Sequence, residues 1–133
     1  MGGARASGAG RLAEALYGAG FSLLFAHEVD SGYWREWELF HLPGGISLFV
    51  VLHIAMGALL LAGFRSVVLR ERAARAWSLL LAAGGTFAFC IHMTFIGLGH
   101  EQFRRPASVG VLAALLVVSV ALAAVARRGA VSS

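Results

Sequence analysis

The chain contains no lysine; all 11 of its basic residues are arginine. It has one cysteine, Cys90, so no internal disulfide can form. Cys90 lies within an apolar run and reads as a small buried hydrophobe. Neither an HExxH nor an HxxHH pattern occurs, so no ready-made helical metal motif is present. No arginine-rich run is interleaved with aromatics. That argues against nucleic-acid binding despite a sequence pI of ≈ 10.6. The most informative absence is of charge over long stretches. Leu39 to Phe64, Ala76 to Gly99 and Pro106 to Ala126 contain no Asp, Glu, Lys or Arg. Each is longer than the roughly 20 residues that span a bilayer core.

What is there agrees with those gaps. The hydrophobic fraction is 59%, above the roughly 45–50% of soluble domains. A fourth apolar segment, Leu12 to Ala26, carries only Glu14 and extends to Val29. The expected fold class is all-α: a four-transmembrane-helix bundle of two helical hairpins, in which lipid forces the backbone to satisfy itself. At 133 residues one integral membrane domain is expected. Its helices should cover about 11–29, 43–64, 76–99 and 106–126, after a frayed Gly/Ala-rich start. The alternative for the first helix, a cleaved signal peptide, fits poorly. Cleavage wants small residues at −3 and −1, and Leu24 stands at −3 before His27.

Arginine follows the membrane. Arg5, Arg11, Arg65, Arg70, Arg72, Arg75, Arg127 and Arg128 fall on one side of a four-helix topology, and Arg35, Arg104 and Arg105 on the other. The positive-inside rule then puts both termini in the cytoplasm of a bacterial inner membrane.

The stretch HEVDSGYWREWELFHLPGG, His27 to Gly45, concentrates the chemistry. It holds four of seven acids, two of five histidines and two of three tryptophans. Between residues 30 and 42, Trp34, Trp37, Glu38 and His41 recur at helical spacing. The expectation is a short interfacial helix with both tryptophans at headgroup level. Glu36 reads as a solvated residue. Pro43 and Pro106 are each placed to open the following helix, where a missing N–H costs nothing. FAHE, ending the first helix, and LGHE, ending the third, suggest two hairpins on a shared plan.

Depth sorts the histidines. His27 and His100 end the first and third helices, and His41 is interfacial. His53 lies roughly 15 Å into the second helix from Pro43, and His92 roughly 12 Å in from His100. All five therefore belong to the outer half, with Glu28, Asp30, Glu36, Glu38 and Glu101. Gly85, Ala88, His92 and Gly99 share a stripe of small residues that marks a helix–helix face. Ionisable groups at such depth are functional candidates, although a single histidine such as His53 also serves as an interhelical hydrogen-bond former. Met56 and Met93 read as packing.

Imidazole and carboxylate together suit zinc, iron or manganese. The candidate ligands of a divalent metal ion are His27, Glu28, His41, His53, His92 and His100, with His53 and His92 as a coupled pair on one ion. Glu38 and Glu101 are candidate bases. Zinc would activate water and iron oxygen, in a hydrolase or oxidoreductase acting on a lipid-soluble small molecule. Two further readings stand beside it. His53 and His92 could be axial ligands of a b-type haem, making an electron carrier. Or the protein is a non-enzymatic subunit whose acidic outer loop docks a partner. The expected surroundings are the lipid bilayer and a homo-oligomer or membrane complex.

His27-Glu28-x-Asp30, EWELFHLPGG and His53 together resemble a family of small bacterial four-helix membrane proteins of unknown function. The likeness covers roughly the first half of the chain. It implies the topology and the choice of polar residues, and it implies no reaction.

Overall fold

The structure, a computed structural model, describes residues 2–128. Among them are five α-helices, one 3-10 helix and no strand: α1 Gly2–Tyr33, α2 Glu36–Leu39, α3 Gly45–Val68, α4 Ala74–Gly97, the 3-10 helix Glu101–Arg104 and α5 Pro106–Arg128. Three of them, α3, α4 and α5, are long and apolar enough to cross a membrane. α1 is longer still, but Glu14, His27 and Glu28 interrupt its apolar character.

Two boundaries differ from expectation in ways that matter. α1 begins at Gly2 rather than near Arg11; its glycine- and alanine-rich lead holds no proline that would stop the helix. It also runs past Val29 to Tyr33, which puts Ser31 on the helix. Pro43 does not open α3. Gly44 and Gly45 follow it with φ of 84° and 53°, a left-handed turn that glycine adopts without steric cost, and α3 starts only there.

The four long helices alternate in direction. α5 packs on both α4 and α1, and α3 packs on the other sides of α1 and α4. α3 and α5 therefore stand at opposite corners, while α1 and α4 also touch across the short diagonal. The core along the bundle is built from Tyr17, Leu81, Leu112, Leu115 and Leu122, all essentially inaccessible. The Tyr17 hydroxyl donates to the Leu60 carbonyl at 3.0 Å, so its one polar atom is satisfied. Close approach replaces hydrophobic drive where the surroundings are lipid. A Cβ on Gly85 would collide with Ser119, and one on Gly63 with Tyr17. Gly99 has no such role, since it lies beyond the end of α4 with φ of 92°. Cys90, expected inside, is exposed on the outer face of α4, away from the stripe that carries Ala88 and His92.

Candidate metal centre

His27, His53 and His92 all lie toward the end of the bundle that α2 covers. The segment from Arg35 to Gly45 folds back on the bundle. Arg35 and His41 are left-handed, with φ of 54° and 50°, and these reversals confine α2 to a single turn. Left-handed non-glycine residues cost of order 1–3 kcal/mol each and persist only where the surroundings enforce them. Here the surroundings are aromatic. Trp37 packs on Phe49 of α3 at 5.1 Å, and Phe40 on Phe95 of α4 at 5.5 Å. Trp37 is thus buried within the protein. Trp34 stays at the rim with Arg105 over its ring.

The folded-back segment drives Glu36 into the bundle. Its carboxylate is the buried partner of His92, with Nε2 at 3.1 and 3.2 Å from the two oxygens. The Ser31 hydroxyl donates to Oε2 at 2.6 Å. His92 Nδ1–H donates to the Ala88 carbonyl at 2.8 Å. A carbonyl can only accept, so that bond fixes the proton on Nδ1 and leaves Nε2 facing the carboxylate. Orienting one ring nitrogen by a backbone carbonyl is what metal-binding imidazoles do. His27, on α1, meets His92 edge to face at 4.6 Å. Phe103, from the 3-10 helix, closes the other side of His92 at 4.9 Å.

The result is a three-residue cluster. His27, Glu36 and His92 are 5%, 4% and 3% exposed, and each offers a ligand atom within 4.8 Å of the others. An ion with bonds of roughly 2.1 Å holds neighbouring ligand atoms about 3.4 Å apart, so small side-chain movements suffice to close on one. Two imidazoles and one carboxylate are the donor set of some catalytic zinc sites and of non-haem iron oxygenases. Burial acts to raise the Glu36 carboxyl. The hydrogen bonds from His92 and Ser31, with His27 nearby, outweigh it and hold the group below its ordinary range. At neutral pH Glu36 is therefore an anion ready for a cation.

A profile for a family of unknown function, DUF6713, matches residues 13–129. The chain belongs to that family. No curated protein and no solved structure matches it. The match takes in every residue of the cluster, and the family's description supplies no reaction.

The other expected site residues of this DUF6713 chain fall in three places. Glu28 and His53 form a second pair. His53 Nδ1–H donates to the Phe49 carbonyl at 2.6 Å, and its Nε2 lies 2.5 Å from Glu28 Oε2. His53 is thus turned to Glu28 and does not join His92; the arrangement lends no support to haem between these two histidines. His41 is exposed in the reversal, and His100 is half-buried against Phe95 at 5.3 Å. Glu38 and Glu101 are exposed and paired with Arg35 and Arg104 three residues away, and neither reaches the cluster.

Glu36 is the functional candidate that sequence reading missed. Helical spacing over residues 34–41 pointed to Glu38, because it assumed an unbroken helix. The left-handed residues at both ends of α2 break that periodicity. No local pattern separates Glu36 from Glu38; the reversal at Arg35 does.

Proposed function

We propose that this protein is an integral membrane metalloprotein of a single domain, spanning the bilayer four times, in which His27, Glu36 and His92 hold one divalent ion. The observation that carries the reading is the convergence of three buried ligand-type side chains from three separate elements within 4.8 Å. Buried ionisable groups in apolar bundles are costly unless they serve a function. The fourth span is α1. It supplies His27 and the inaccessible Tyr17, which also supports its retention in the mature protein. The arginine distribution supports cytoplasmic termini and a bacterial inner membrane.

A cavity of ≈ 320 Å³ adjoins the cluster and is lined by His27, Glu36 and His92 together with Glu28, His53 and apolar side chains. An ion held there by His27, Glu36 and His92 would lower the pKa of a bound water or polarise a substrate oxygen. The chain's own part is to hold and orient. Ser31 fixes the Glu36 carboxylate, Ala88 fixes the His92 tautomer, and Phe103 closes one side of that imidazole. With zinc the chemistry is hydrolytic and with iron oxidative, on a substrate that reaches the cavity within the membrane. The reading of an acidic docking loop loses ground, because Glu36 is buried, Glu28 is taken by His53, and Glu38 and Glu101 are paired with arginine.

Elemental analysis of protein purified in a mild detergent at neutral pH tests the centre. The expected result is about one zinc, iron or manganese per chain, since metal binding displaces ligand protons and is supported near neutral pH. Protein that is folded yet stays free of metal after incubation with each of the three sinks the reading.

A further inference from the structure

The Glu28–His53 pair is a wall shared by two cavities. One is the metal cavity. The other, of ≈ 190 Å³, runs between α1 and α3 and is otherwise lined by apolar residues, among them Phe21, Phe25, Met56, Gly57 and Leu60. Phe25 and Val29 at its margin are exposed, so this groove opens on the flank of the bundle and not at its end. In a bilayer that flank faces acyl chains.

Two details say what the groove suits. The first is Gly57. A Cβ built there would meet nothing within 4 Å, so this glycine serves no helix contact and leaves the groove open. The second is Glu28. Its Oε2 is engaged by His53, and among the described residues no side-chain donor reaches Oε1. The side chains of His53 and Glu28 are 26% and 19% exposed and both line the groove, so the carboxylate is within reach of a molecule lying there. An acceptor in apolar surroundings selects a donor, because an unmade hydrogen bond there is expensive.

We propose that the α1–α3 groove binds a single-chain amphiphile with a hydroxyl head. The hydroxyl donates to Glu28 Oε1, the chain lies along Phe21, Phe25 and Met56, and the head sits at the wall of the metal cavity. This names the substrate class of the centre and in that respect rests on the metal reading. Binding in the groove itself rests only on the membrane placement.

The experiment uses the full chain in phosphatidylcholine nanodiscs. The probes are a long-chain fatty alcohol bearing a mid-chain diazirine and the matching alkane without the hydroxyl. After photolysis, labelled residues are mapped by mass spectrometry. The alcohol should label the groove about tenfold more than the alkane does, the preference expected of one hydrogen bond to a carboxylate. Gly57→Leu should fill the groove and abolish that enrichment, with metal content unchanged. Glu28→Leu should erase the difference between alcohol and alkane. In His92→Ala, enrichment should persist although the metal is lost. Alcohol labelling spread evenly over the exposed faces of α3 and α5 overturns the proposal, and so does groove labelling that survives Gly57→Leu. Enrichment in a wild-type protein that never binds metal would sustain the groove and remove the centre.

Discussion

His92–Glu36 and His53–Glu28 are built alike. In each, Nδ1 donates to the carbonyl four residues earlier on the same helix, and Nε2 is handed to a glutamate from another element. They differ in what surrounds them. His92–Glu36 is sealed beneath α2 and Phe103 and is joined by His27 across the diagonal contact of α1 and α4. His53–Glu28 has no third ligand among the described residues and is open to a groove on the flank. A satisfied His–carboxylate pair is therefore not in itself a metal site. The third ligand and the exclusion of the surroundings separate a candidate centre from a hydrogen-bonded pair.

The largest effect should come from breaking the sealed pair. His92→Ala should lower metal affinity by at least about 100-fold, while His53→Ala should leave stoichiometry intact, as read by elemental analysis. The double variant should lose no more metal than His92→Ala alone, because groups in one site are not additive whereas an uninvolved group adds nothing. Equal loss in both single variants would erase the distinction between the pairs and restore His53 as a ligand.

A smaller effect sharpens the same contrast. The Ser31 hydroxyl holds the Glu36 carboxylate, so Ser31→Ala should weaken metal binding about tenfold, the lower end for groups that orient a ligand. Competition against a chelator of known affinity measures this. Binding as tight as wild type would mean that Glu36 is positioned by His92 and the α2 reversal alone.

The smallest effect is expected at the exposed carboxylates. Glu38→Gln and Glu101→Gln each remove one partner of a solvated ion pair, which contributes about 0–1 kcal/mol. Thermal unfolding in detergent should move little, and metal content not at all. Loss of metal in either variant would bring the outer loops into the site.

Several features were open to reading from residues alone. The uncharged runs mark α3, α4 and α5, because a helix able to face lipid needs about 20 apolar residues in succession and no partner to define it. The side assigned to the histidines followed from counting those runs. His27, Glu28, His53 and His92 were named as candidates because ionisable groups in apolar helices are few and costly. The membership of the cluster was not readable. His53 and His92 have similar depth in sequence, yet α3 and α4 point them at different glutamates, and depth along a helix says nothing about azimuth around the bundle.

Sequence by itself determined an all-helical chain with apolar helices of membrane length and a concentration of His and Glu near one end, since hydropathy and 1.5 Å per residue are local properties. Tertiary structure alone decided which of those residues meet. Glu36 enters the cluster because Arg35 and His41 take left-handed conformations and Trp37 and Phe40 find aromatic partners on two different helices. His27 reaches His92 because α1 and α4 share the short diagonal. Both facts depend on contacts between residues far apart in the chain, where no periodicity or spacing records them.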